Sequence, residues 1–184
     1  MKHINNYLPV AFCLIALTVF GAIIYKHETH LRYGKDIYIR LAPADPRSLI
    51  QGDYMTLGYD FYFTKNTDDL YAYGERFYEH YQDRTHVPIW VLTDDKNVVI
   101  KSGFDKSEFD KSEQLKLRPL IINNPNNYIF NLYSASSSFL FAEGLGKCYE
   151  KAIFAHQKTD DKGNPILVDL VDDKLNSLGC EIAH

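Results

Sequence analysis

The stretch "APADPRSLIQGDYMTLGYDFYF", residues 42–63, decides how the chain is built. Asp45 is a good N-cap, Pro46 suits the first helical position, and Gly52 suits the left-handed residue that ends a helix. Residues 46–51 are therefore expected to form a short helical turn. From Tyr54 to Phe63 the pattern has period two. Met55, Leu57, Tyr59, Phe61 and Phe63 share an apolar face, and Tyr54, Thr56, Gly58, Asp60 and Tyr62 share a mixed one. This reads as one strand. Asp53 opens its apolar face, where burial is expected and a carboxylate needs partners. It either accepts N–H bonds from the turn or pairs with Arg40 or Arg47, or it has a catalytic or ligand-binding role.

Upstream, residues 7–25, "YLPVAFCLIALTVFGAIIY", carry no charge. As a helix this run is about 28 Å long, close to the hydrocarbon thickness of a bilayer. Tyr7 and Tyr25 bracket it as interface aromatics do. A cleavage site ending at Ala22 would place Phe20 where a small residue belongs, so a retained anchor is expected. The chain thus divides into a short tail (1–6), a transmembrane anchor in contact with the lipid bilayer (7–25), a polar juxtamembrane spacer (26–35) and a soluble domain (36–184). Counting Lys and Arg alone, with Lys2 on one flank and Lys26, Arg32 and Lys35 on the other, points to a cytoplasmic domain.

Only Lys2 is charged before residue 26, so residues 26–184 hold 19 of the 20 basic and all 24 acidic side chains, net −5. That balance disfavours nucleic acid or anionic lipid as a main partner. The abundant Tyr and Phe provide core material and argue against disorder. Cys13 falls in the apolar run. Cys148 and Cys180 are free to pair in an oxidising compartment, although spacing does not decide connectivity. With no CxxC, a redox motif or zinc ribbon is not expected.

Downstream, "DIYIRLAP" (36–43) reads as a strand. Leu70, Tyr73, Phe77 and Tyr81 recur at helical spacing, so 67–84 reads as an amphipathic helix weakened by Gly74. "VPIWVLT" and "NVVIKSGF" form a hairpin around "DDKN". "KSEFDKSEQ" reads as a charged loop, and "LKLRPLIIN" as a strand in which Pro119 marks an edge or bend. "YIFNLYSASSSFLFAEG" holds one or two strands, "GKCYEKAIFAH" a short helix, and residues 166–171 a strand after a turn at Asp161–Asn164. The sum is a β-rich α+β domain behind one N-terminal transmembrane helix.

Complete catalytic sets are missing. "ADPRSLIQGD" resembles a worn form of the S-M-x-P-T-L-x-x-G-D box of membrane-anchored serine–lysine peptidases. Leu49 and Gly52-Asp53 are in register, and Lys101 stands at a strand end where such enzymes keep a base. Ala44 occupies the nucleophile position, however, Pro46 is one place off, and Ser48 is in another register. A serine without a positioned base is weakly nucleophilic. Glu143 is a second acid at a strand end, either capping the next helix, pairing with a basic side chain, or joining Asp53 as a carboxylate pair. His27, His30, His80 and His86 lack metal-ligand spacing, and no cofactor motif is present.

Gly52, Asp53, Tyr54, Leu57 and Tyr59 spell GDYxxLxY in full. With the leading "DPRSLIQ", and with "FLFAEG…YEKAIF" and "PILVDL" further on, the chain resembles the GDYxxLxY family of bacterial membrane-anchored proteins. The likeness covers most of residues 36–172. The resemblance implies an inner-membrane protein with one span, a periplasmic domain and an integral membrane partner of unknown role. It assigns no catalytic residues, and it favours the periplasm against the charge count. The expected function is a non-enzymatic accessory or interaction module. The rivals are an envelope hydrolase using Asp53 with Glu143 or Ser48 with Lys101, and a ligand sensor.

Overall fold

A computed structural model of the chain describes residues 4–42, 54–63 and 70–181. It divides into two compact units, Met1–Gly34 and Lys35–His184. The first is a single helix, α1 (Ile4–Tyr33). Its segment Pro9–Tyr33 is long and apolar enough to cross a membrane, as an anchor or a signal sequence is. Phe12, Leu17 and Ile24 on it are exposed. The polar stretch expected as a spacer is helical through Tyr33, where Glu28 and Arg32 pair one turn apart at 2.7 Å. At about 1.5 Å per residue, the 30-residue helix is roughly 45 Å long.

The second unit is a β-rich domain with short helices. Its strands are β1 (Lys35–Leu41), β2 (Tyr54–Thr56), β3 (Tyr59–Asp60), β4 (His86–Thr93), β5 (Val99–Gly103), β6 (Arg118–Asn123), β7 (Tyr133–Ser134), β8 (Ser138–Leu140), β9 (Phe154–Thr159) and β10 (Pro165–Val171). The helices are α2 (Leu70–Tyr81), α3 (Lys111–Gln114) and α4 (Gly146–Tyr149). Two antiparallel four-stranded sheets run in the orders β10-β9-β1-β3 and β5-β4-β6-β7, and among the described residues β2 pairs with β8 alone. The main core is lined by Ile37 and Ile39 of β1, Val87, Ile89 and Val91 of β4, Leu120 and Ile122 of β6, and Phe77 of α2. Each such side chain, fully buried, contributes about 1.5–3 kcal/mol. Met55, Leu57, Ala155 and Leu170 form a second cluster, and Tyr59 packs against both.

The alternation over 54–63 is right about faces and wrong about continuity. Met55, Leu57 and Phe61 are buried, while Tyr54 and Tyr62 are exposed. Yet the segment is two strands in two sheets, separated by Leu57-Gly58. The short helix expected at 46–51 lies outside the described residues. The charged loop expected at 106–114 falls within a tandem repeat, Phe104-Asp105-Lys106-Ser107-Glu108 then Phe109-Asp110-Lys111-Ser112-Glu113. Each copy starts a turn of helix with a capping box, Asp105 with Glu108 and Asp110 with Glu113. In each copy the glutamate accepts the N–H of the aspartate three residues earlier, and in the first Asp105 Oδ1 also accepts from Ser107 N–H, which gives this charged sequence a fixed shape.

A second recurrence is Asp-Asp-Lys at 94–96, 160–162 and 172–174. In each, the first aspartate's Oδ1 accepts from the N–H groups two and four residues on. The residue after each lysine, Asn97, Gly163 or Leu175, has φ between 63° and 84°. This is one turn design used three times, a tight bend closed by a left-handed residue.

Pro88 and Pro119 stand inside paired strands without costing a ladder bond. The N–H of Ile121 donates to Gly163 O and so points away from β4. Ile121 faces Pro88 and Trp90 faces Pro119 in the β4–β6 register. Both prolines therefore sit at positions where the backbone turns away from the partner strand. On those outer sides β5 reaches only Trp90–Thr93 and β7 only Ile122–Asn123. Locally, both prolines occupy edges.

In α2, a Cβ added at Gly74 would meet Ile129 Cγ2 at 3.5 Å, an ordinary contact. Gly74→Ala is therefore expected to stabilise the domain by about 0.5–1 kcal/mol through helix propensity. A urea titration followed by the single tryptophan, Trp90, checks this.

Candidate functional site

From Tyr54 the signature segment runs in the β2–β8 ribbon, where Tyr54 faces Leu140, Met55 faces Phe139 and Thr56 faces Ser138. It then crosses to the first four-stranded sheet. Gly58 makes the crossing possible: its O accepts from Ala42 N–H at 2.9 Å, and a Cβ there would meet Ala42 Cβ at 3.3 Å. Leu57 is buried, and its N–H donates to Ser137 O. The Tyr59 hydroxyl donates to Ser136 O at 2.7 Å, and burial pushes its pKa well up. Leu57 and Tyr59 thus fasten the segment to the Ser136–Ser137 connection. Tyr54 is partly exposed on the ribbon's other face. Gly52, Asp53 and Ser48 lie outside the described residues.

Two clefts flank the crossing and share Thr56, Leu57 and Gly58 as a wall. The first, about 290 Å³, carries two charged groups, Arg40 and Glu150, above Met55 and Ala152. The second, about 460 Å³, lies against Tyr59, Pro125, Phe130, Leu132 and Tyr133, and none of its described wall residues is charged. Tyr128 and Phe130 beside it are half-exposed and pack ring on ring at 5.1 Å.

The other residues singled out in the sequence are scattered. Lys101 Nζ donates to Glu113 Oε2 at 2.9 Å and lies 5.2 Å from the Phe109 ring centre. Its ammonium is thus engaged by a carboxylate in the second capping box. Glu143 is exposed in the turn before α4 and does not cap that helix, whose N-cap is Leu145. Cys148 of α4 and Cys180 are joined by a disulfide, with Cα atoms 5.9 Å apart. Among the described residues no cluster of three or more His, Cys, Asp or Glu is placed to hold a metal.

The hydrogen bond from Lys101 lowers the Glu113 pKa, as does the Asp110 N–H. The Ser107 N–H does the same for Asp105. A carboxyl depressed by folding adds stability above its unfolded pKa, roughly 4, and that stability is lost as pH falls through the folded value. Urea midpoints are therefore expected to change little between about pH 7 and 5 on account of these groups, then to fall in more acidic buffer. Glu113→Gln is expected to flatten that acid limb, and equal limbs for variant and parent would refute the assignment.

Several buried contacts have no sequence signal. Ser134 Oγ donates to Gln157 Oε1 at 2.7 Å between the sheets, both residues fully buried. Gln157 Nε2 is near the Tyr59 phenol but makes no hydrogen bond of good geometry. Arg118 donates to Asp36 O, Asn97 Oδ1 and Thr159 Oγ1, tying β6 to β1, the first Asp-Asp-Lys turn and β9. His156 Nε2 lies 2.8 Å from Asp36 Oδ1, with its ring stacked on Tyr38. These partners are far apart in sequence, so only the fold brings them together.

Searches of curated proteins and of solved structures give no match. The model of the family described as GDYXXLXY protein matches residues 16–170, from within the apolar helix to the end of β10. With more than four-fifths of its length matched and the signature laid along the crossing between two sheets, the chain belongs to the GDYXXLXY family.

Proposed function

We propose that the chain is a bacterial inner-membrane protein with one span whose periplasmic domain is a non-enzymatic interaction module for an integral membrane partner. The observation that carries this reading is how the signature segment is used. Leu57 and Tyr59 are committed to packing and backbone bonds, while the crossing they hold forms the common wall of two open clefts. That is the construction of a surface held for a partner, with no assembled nucleophile and base among the described residues. The membrane-length helix precedes the domain in the chain, with only Gly34 between α1 and β1. The Cys148–Cys180 bond supports an oxidising compartment.

The test is crosslinking in living cells with the full chain, followed by affinity recovery. Recovery of an integral membrane protein is the expected result, and recovery of none counts against the module. A reporter that works only in the periplasm, fused after residue 184, is expected to be active. A cytoplasmic outcome would overturn the proposed side of the membrane.

A further inference from the structure

The first cleft holds two opposite charges that the fold leaves unpaired. Arg40 is an exposed residue of β1, and its guanidinium lies 6.0 Å from the ring centre of Phe154, which faces it in the β1–β9 register. Asp60 faces Arg40 from β3, but Asp60 Oδ1 accepts from Tyr62 N–H instead. Glu150, also exposed, is the C-cap of α4, the helix that carries Cys148 of the disulfide. Among the described residues neither Arg40 nor Glu150 stands in an ion pair, whereas Lys35 with Asp161 and Lys101 with Glu113 do. Both nevertheless line the same cleft. Its remaining walls include Met55, Leu57 and Ala152, all part of the second core cluster, so the apolar floor is already packed in place.

We infer that this cleft binds one free α-amino acid with an apolar side chain, its carboxylate on Arg40 and its ammonium on Glu150. The inference goes beyond the interaction-module reading and does not depend on it. A guanidinium takes a carboxylate through two parallel hydrogen bonds, and a carboxylate takes an ammonium through charge-assisted ones. The two side chains together therefore select a molecule with both ionic groups close to each other. A peptide keeps those groups at opposite ends of its chain, whereas a free amino acid carries both on one carbon. The floor selects the third substituent: a charged side chain on Met55 and Ala152 would lose water without gaining a partner. At about 290 Å³ the cleft is at the small end of ligand sites, which suits a single residue.

The test is calorimetric titration of the full chain, solubilised in a maltoside detergent, with L-leucine and L-methionine as probes. Saturable binding of at least one is expected. N-acetyl-L-leucine, which lacks the ammonium, and L-leucinamide, which lacks the carboxylate, should each bind at least about tenfold more weakly than leucine, and L-aspartate likewise. Arg40→Gln and Glu150→Gln should each lower leucine affinity at least about tenfold. The losses should be specific: Arg40→Gln binds leucine no better than leucinamide, and Glu150→Gln binds it no better than N-acetyl-leucine. Both side chains are exposed, and circular dichroism confirms that each variant is folded. No binding of either probe at millimolar concentration overturns the inference, as does leucine affinity that either substitution leaves unchanged. L-aspartate binding as well as leucine overturns it too, and so does glycerophosphoethanolamine binding where leucine does not, which would mark a lipid headgroup as the zwitterion.

Discussion

Gly163→Ala is expected to destabilise the domain by about 3–6 kcal/mol, a drop of at least about 6 °C in the unfolding temperature. Gly163 closes the second Asp-Asp-Lys turn with φ 84° and is buried against β6. A Cβ at this position would stand 2.6 Å from Pro119 O, 2.7 Å from Pro119 C and 2.9 Å from Leu120 N. These are backbone atoms of a central strand and cannot swing aside as a flexible side chain can. Overpacking of this kind costs about 1–3 kcal/mol, and the left-handed conformation adds about 1–2 for an L-residue. The bond from Ile121 N–H to Gly163 O, 2.8 Å, is strained as well, at about 1 kcal/mol. Gly144→Ala is the control. Its φ is 86°, but nothing lies within 4 Å of the added Cβ, so only the conformational cost of about 1–2 kcal/mol is expected. Urea titrations read by Trp90, which faces Pro119 across the β4–β6 pair, compare the two. Equal losses would mean that the turn does not press on β6.

Reducing the Cys148–Cys180 bond, or replacing both cysteines with serine, is expected to cost about 3–4 kcal/mol. The bond closes a loop with a sequence separation of 32 residues. The chain-entropy treatment gives about 3.7 kcal/mol for a loop of that size at 25 °C. The effect has a local face. Beyond the bridge between Val171 and Ser177, the last described residues have no secondary structure, and Leu178 packs into the second core cluster. Without the crosslink this end is expected to open before the sheets do, and amide exchange over 178–181 should rise first. The measurement pairs urea midpoints with and without reductant. The parent should shift and the double serine variant should not. A parent that ignores reductant would show that the bond carries no stability.

The sequence discloses local rules and conceals assignments between distant segments. Period two over 54–63 identifies Met55, Leu57 and Phe61 as inward-facing because the rule depends only on the pleat. The hairpin around Asp94–Asn97 is legible because the turn chemistry is local. That β2 and β3 belong to different sheets is not legible, since the strands that claim them, β8 and β1, lie far away in the chain. Gly58 is the one local hint. The repeat Phe-Asp-Lys-Ser-Glu is open to reading as two capping boxes, but its charge hides them. At the candidate site, the roles of Leu57 and Tyr59 follow from alternation, whereas the clefts depend on where Leu132, Tyr133 and Ala152 arrive. Asp53, the acid that the sequence marks most strongly, lies outside the described residues. Asp53→Asn would show by function whether it does more than hold a turn.

The prolines of β4 and β6 bear on how copies of the protein coexist. On the anchoring proposed above, the domains would share a plane, and at a given copy number would meet far more often than free proteins do. An overhanging strand in such a layer invites copies to zip together into growing filaments. At Pro88 the overhang of β4 lacks the N–H that a neighbouring copy would need, so accretion from that side stalls at its first rung.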